Sequence, residues 1–289
     1  MAFETPIVLF IYNRPAKTLK VFEEIRKIKP TQLFIVADGS RNSTERISVD
    51  QTRSIAEMVD WSCELQLDFS EINLGCSDRI ILGLNKVFEK VDQAIILEDD
   101  CLPHPTFFQF CEEMLVNYKD DEQIMHISGF NVMGTSPVNA SYFFSKYIIP
   151  PWGWATWKRA WKHENPNLDT WQQIKTWAHK NISQEYFVDW TNLFEGARVD
   201  RKTWDTSWNV DVWKQKGLGI IPKHSLIQNI GFGEDATFTT IDSSKLSLIN
   251  SKEMNFPLNH PLSKNCDFEK EIEKEIMESL RFILSKNKK

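Results

Sequence analysis

The sequence predicts an α/β protein with a mostly parallel sheet flanked by helices. Three observations carry this. Short apolar runs alternate with longer segments of helical period through the first third of the chain. The runs are unbroken rather than alternating, as in strands covered on both faces. One of them, Ala94–Leu97, passes straight into Glu98-Asp99-Asp100, with Pro103 and Pro105 soon after. Acids therefore close a central strand, at the carboxyl edge where open α/β sheets bind ligands.

Taken in order, Pro6–Tyr12 reads as the first strand and Asn13-Arg14-Pro15 as the turn after it. Residues 16 to 28 place Leu19, Phe22, Ile25 and Ile28 on one helical face, and Pro30 stops that helix. Leu33–Ala37 is the second strand, closed by Asp38-Gly39-Ser40. Residues 50 to 60 read as helix, Cys63–Phe69 as a short alternating strand, Asn73-Leu74-Gly75 as a turn and 77 to 90 as helix. After the acidic strand come a helix over 106 to 118, a strand over Met125–Gly129 and another over 142 to 149.

The composition then shifts. Ten of the eleven tryptophans lie between Trp152 and Trp213, in a stretch that reads as mixed helix and loop. Leu218–Pro222 is a late strand, and Gly231–Asp235 a glycine-bearing loop. Residues 267 to 284 form an amphipathic helix with Phe268, Ile272, Ile276, Leu280 and Ile283 on one face. This gives a first half over 1–150, a second half of the same domain over 151–265, and a C-terminal helix over 266–289.

Composition narrows the function classes. With 289 residues and 42% hydrophobic content the chain can bury a sizeable core. A net charge of -6 argues against nucleic acid as a partner. Met1-Ala2-Phe3-Glu4 lacks the basic start and apolar run of a secretory signal. No apolar stretch reaches the ~18 residues of a membrane span. The five cysteines are never spaced Cys-x-x-Cys, so reduced thiols in a cytoplasmic protein are expected, and no zinc site.

The three acids carry the chemistry. Two like charges at about 4 Å repel by on the order of 4 kcal/mol at an effective dielectric near 20. On an ideal strand Glu98 and Asp100 point one way and Asp99 the other. A divalent cation, a ribose hydroxyl or a nucleobase donor would relieve them. A solvated acidic turn is the plainer reading, and the apolar run before the acids argues against it.

The set strand-Asn13-Arg14-Pro15, strand-Asp38-Gly39-Ser40, strand-Glu98-Asp99-Asp100 resembles the nucleotide half of GT-A glycosyltransferases. It is similar to the eukaryotic N-acetylglucosaminyltransferase that initiates complex N-glycans, and to bacterial haemolysin-like glycosyltransferases. The similarity runs from about Pro6 to about Phe238. It implies a GT-A-type, Rossmann-like fold and a UDP-sugar donor. It implies that Arg14 contacts the donor diphosphate or uracil, Asp38 the uracil N–H, and Glu98 and Asp99 the sugar or ribose. Asp100 becomes the protein ligand to Mn²⁺ or Mg²⁺, hard cations that take oxygen donors. Pro151–Trp157 resembles the segment shaping the sugar pocket, with Trp152 and Trp154 as candidate contacts. Trp204–Trp208 resembles the segment carrying the base, with Asp205 the first candidate and Asp211 the alternative. A carboxylate opposite the leaving group implies inversion. Ile230–Thr237 resembles the loop that closes over donor phosphates; Phe238 stands where the bacterial proteins often carry His.

The resemblance implies transfer to a hydroxyl of a glycan, lipid-linked glycan or protein, in bacterial polysaccharide synthesis. The C-terminal helix either packs on the domain or rests peripherally on the inner membrane face. Arg14 alone reads as a surface arginine, Asp38-Gly39 as a common turn, and Arg79 as a solvated helix start. Asp205 also reads as a core acid between tryptophans, and His104, His126 and His163 as structural. Two rivals stand beside the transferase. A sugar nucleotidyltransferase needs a glycine-rich phosphate loop that Asn13–Lys17 does not supply. A non-catalytic sugar-binding protein would use the tryptophans as a cleft.

Overall fold

The computed structural model describes residues 2–165, 169–200, 204–233 and 245–286. The chain begins β1 (Ile7–Ile11), α1 (Pro15–Ile28), β2 (Gln32–Ala37), α2 (Ser43–Arg53), β3 (Glu64–Phe69), α3 (Cys76–Lys90) and β4 (Gln93–Glu98). It continues with β5 (Cys101–Pro103), α4 (Thr106–Asn117), β6 (Ile124–Ser128), β7 (Tyr142–Ser145), β8 (Trp154–Trp157) and α5 (Lys158–Trp161). Then come α6 (Asp169–Asn181), α7 (Phe187–Asp200), α8 (Asp205–Lys214), β9 (Leu218–Pro222), β10 (Ile227–Asn229) and α9 (Glu269–Lys286).

One sheet runs β3-β2-β1-β4-β8-β6-β9-β7. The pairs β3/β2, β2/β1, β1/β4 and β6/β9 are parallel. β8 runs antiparallel to both neighbours, and β7 closes the far edge antiparallel to β9. β5 and β10 form a separate antiparallel pair. The protein is thus α/β with a large, mostly parallel sheet between helices.

The unbroken apolar strands serve two cores. Ile7, Leu9 and Ile11 face α1 and α4, with Val21, Phe22 and Phe107 in the same cluster. Val8 and Phe10 face α3, α5 and α8, with Leu84, Trp161 and Trp208. This is why β1 and β4 read as continuous runs: both of their faces are covered.

Three elements depart from the sequence reading. The helix expected over 50 to 60 begins at Ser43, because Asn42 Oδ1 accepts the Glu45 N–H at 3.0 Å and caps it. The strand expected over 142 to 149 leaves the ladder after Ser145. There Ser145 Oγ takes the Tyr147 N–H, and Asn209 Oδ1 takes that of Ile148. Within the tryptophan-rich stretch, Trp154–Trp157 is a central strand.

The apolar face of α9 is turned inward. Ile272, Ile276 and Met277 are buried, and Phe268 and Leu280 pack against the core. Glu273, 1% exposed, accepts hydrogen bonds from Trp190 Nε1 at 2.9 Å and Ser183 N at 3.1 Å. The side chain of Ile283 lies outside the described residues. Among the described residues no helix is long and apolar enough to cross a membrane.

Candidate functional site

The site is set by strand order. The connection after β1 leads to β2 on one side, while β4 lies on the other side of β1. The loops leaving β1 and β4 therefore diverge, and a crevice opens at their carboxyl ends. A cavity of about 260 Å³ occupies it, lined among others by Tyr12, Arg14, Asp38, Glu98, Asp99 and Asp100. The register sets Phe10 beside Glu98, so the residues that leave the two strands meet at this point.

The Arg14 side chain is enclosed between two acids. Its Nη1 donates to Asp100 Oδ2 at 2.8 Å and to Asp99 Oδ1 at 3.4 Å. Asp99 also accepts the Tyr12 N–H at 3.2 Å. The alternation expected of an ideal strand is therefore not kept. β4 ends at Glu98, and the turn at 99–100 brings both aspartates onto one guanidinium. Burial, then the Asp100 charge, pushes Asp99 up to about 7, against the pull of Arg14. Burial raises Glu98 well above the carboxylate range, helped by Asp100, Asp99 and Asp205 in that order. Burial thus makes Glu98 and Asp99 hold their protons more tightly than ordinary carboxyls.

Asp38 lines the cavity, but its carboxylate is engaged within the chain. Oδ1 accepts Gly39 N and Leu74 N, both at 2.9 Å. Oδ2 accepts Gly75 N at 2.9 Å and Asn73 Nδ2 at 3.0 Å. These four donors meet the acceptor capacity of a carboxylate. Within the chain, Asp38 thus braces the 73–75 turn beside the cavity. A Cβ on Gly39 would collide with the Ile72 carbonyl, so the Asp-Gly pair fixes how the two loops meet.

Asp205 opens α8 and is half-buried, with Oδ1 accepting the Thr206 N–H at 2.8 Å. It stands close enough to Glu98 and Cys76 for its charge to raise both. Asp211 goes elsewhere. It is 2% exposed, accepts the Asn165 N–H at 2.6 Å, and is pushed by burial up to about 7. Neither Asp205 nor Asp211 is among the residues that line the cavity.

Trp154 departs from its expected contact. It is 1% exposed, stacked 5.0 Å from both His126 and Trp204, and away from the cavity. On β8 its side chain faces the α3–α8 core, which leaves it no ligand surface. Trp152 does line the cavity, edge-on to Phe130 and Phe232. His126 is fully buried and driven down to about 3 by burial, as a structural histidine. Arg79 is not a solvated helix start. It is 4% exposed, donates to Asp68 Oδ2 at 2.6 Å and lines the cavity.

Sequence reasoning passed over Tyr12, Arg41 and Asn73, which also line the cavity. Tyr12 adjoins the Asn-Arg-Pro turn, and Asn73 opens the Asn-Leu-Gly turn. Tyr12 Oη donates to Glu45 Oε2 at 2.6 Å, and burial with that carboxylate pushes the phenol up to about 12. Of the glycine-bearing loop, Gly231 and Phe232 line the cavity, while 234–244, with Phe238, lie outside the described residues.

Among the described residues no three metal-ligating side chains converge as a ready-made metal site. A scan of known protein families and a search of curated proteins found no match to this chain.

Proposed function

We propose that the protein is a metal-dependent GT-A-type glycosyltransferase. It moves a sugar from a UDP-sugar to a hydroxyl of a glycan, lipid-linked glycan or protein, with inversion. The observation that carries the reading is the meeting of Arg14 with Asp99 and Asp100 in the crevice between β1 and β4. Asp99, buried, and Asp100, partly exposed, gather carboxylate oxygens at one point, and once deprotonated these suit Mn²⁺ or Mg²⁺. Asp100, with Asp99 beside it, would hold that ion. When bound, the ion offsets the charge of a leaving diphosphate as a Lewis acid.

The chain's own groups account for the rest. Arg14, released in part from the aspartates, pairs with phosphate oxygens. The Tyr12 ring, pinned through its hydroxyl to Glu45, offers a rigid face for a nucleobase. Glu98 faces the sugar. Asp205, on the α8 side of Glu98, takes the proton of the acceptor hydroxyl as that oxygen bonds to the anomeric carbon. The bond from that carbon to the diphosphate oxygen breaks, and the electron pair leaves with the nucleotide. Trp152 flanks the opening.

Trp154, Trp161, Trp204 and Trp208 are buried in the core, so these four present no face to a bound sugar. Isothermal titration with UDP, with and without Mn²⁺, tests the reading. UDP binding that requires Mn²⁺ is expected, lost in Asp100→Ala. Asp205→Ala is expected to keep that binding and lose transfer across a panel of UDP-sugars. Sugar binding that needs neither UDP nor metal would overturn the proposal.

A further inference from the structure

We propose that Gly231 is a positioning residue: its lack of a side chain is what lets Asp100 keep the arrangement that meets Arg14. The turn that carries it is tied to the acidic segment in two ways and braced once within itself. β10 pairs with β5, setting Asn229 beside Cys101. Ile230 N donates to the Asp100 carbonyl at 2.8 Å. Asn229 Oδ1 accepts the Gly231 N–H at 2.7 Å.

With the backbone leading into it fixed by these contacts, Gly231 lies directly against the Asp100 carboxylate. A Cβ at 231 would collide with Asp100 Oδ2, the oxygen that Arg14 Nη1 holds at 2.8 Å. It would also stand 2.7 Å from Asp100 Cγ and 2.9 Å from Asn229 Oδ1. The backbone leading into Gly231 is anchored, whereas the carboxylate is the far end of a short side chain. Asp100 is therefore what gives way, and it leaves Arg14. The turn and the guanidinium thus hold Asp100 from opposite sides. The consequence for metal binding rests on the function proposed above; the placement of Asp100 does not.

The test is Gly231→Ala, alone and with Asp100→Ala. Two readouts need no ligand. The first is the Arg14 Nε–Hε signal in a ¹H–¹⁵N spectrum, assigned by its loss in Arg14→Lys. In Gly231→Ala it is expected to move toward its position in Asp100→Ala. The second is thermal unfolding: Gly231→Ala lowers Tm in the native background, and most of that loss disappears once Asp100 is alanine. If the single variant does not fold, folding of the double variant supports the inference and its failure to fold overturns it. An unmoved Arg14 signal, or an equal Tm loss in both backgrounds, also overturns it.

The third readout is Mn²⁺-dependent UDP binding, expected to weaken at least about tenfold, as when a group orienting a metal ligand is disturbed. Native protein that binds no UDP with Mn²⁺ would defeat the proposed function, while the first two readouts still decide the role of Gly231.

Discussion

Replacing Asp38 by alanine separates a brace from a ligand contact. The side chain takes three backbone N–H groups and one amide, at 2.9 to 3.0 Å, while 6% exposed. Hydrogen bonds to a charged group contribute about 1.5–3 kcal/mol each, and they are not additive. Water entering from the cavity would recover part of the loss. A net cost of about 3 kcal/mol is expected, roughly 6–12 °C in Tm for a chain of this size. The loss should be local first. Amide exchange at Leu74 and Gly75 should speed up well before that of β1 and β2. Thermal unfolding and residue-resolved hydrogen exchange measure both. A variant melting within about 2 °C of the native protein, with normal protection at 74 and 75 and only UDP affinity lost, would refute the brace.

Three further substitutions probe an acid and two tryptophans away from that turn. Asp211 holds its proton more tightly folded than unfolded, about 7 against an ordinary 3.8. The folded state then binds more protons across that window, so this group's contribution to stability falls as pH rises from 4 to 7 and levels off above. Asp211→Asn should flatten the native slope by as much as about 4 kcal/mol over that range; an unchanged profile of Tm against pH would count against it. Trp154→Ala should cost about 3–5 kcal/mol in urea unfolding. Trp152→Ala, at the cavity edge, should cost far less and instead weaken UDP-sugar binding; equal stability losses would contradict their different placement.

The legible parts of the fold are those where burial decides the sequence. β1, β2 and β4 are apolar on both faces because a helix layer covers each face. The polar groups just beyond them, Arg14, Asp38 and Glu98–Asp100, are found by their position after a strand. Their individual contacts are not legible. Strand alternation misplaces Asp99 and Asp100, since the chain turns immediately after Glu98. The brace at Asp38 is hidden because its four donors come mostly from the distant 73–75 turn. The choice between Trp152 and Trp154 depends on which of them enters β8. A four-residue apolar strand cannot be told from core loop by period alone. The start of α2 has a local sign, Asn42 with Glu45 three residues on, which outweighs the weak apolar spacing.

The insertion of β8 between β4 and β6 governs how this chain can be made. As residues leave the ribosome, β4 has its partner β1 at once, but its other side waits for Trp154–Trp157. β6 waits for the same residues, and then for Leu218–Pro222. Until Leu218–Pro222 has been made, open strand borders rich in isoleucine stand ready to pair with other nascent chains. A fragment stopping at residue 150 would keep those borders permanently, so expression of the first half alone is expected to yield aggregate.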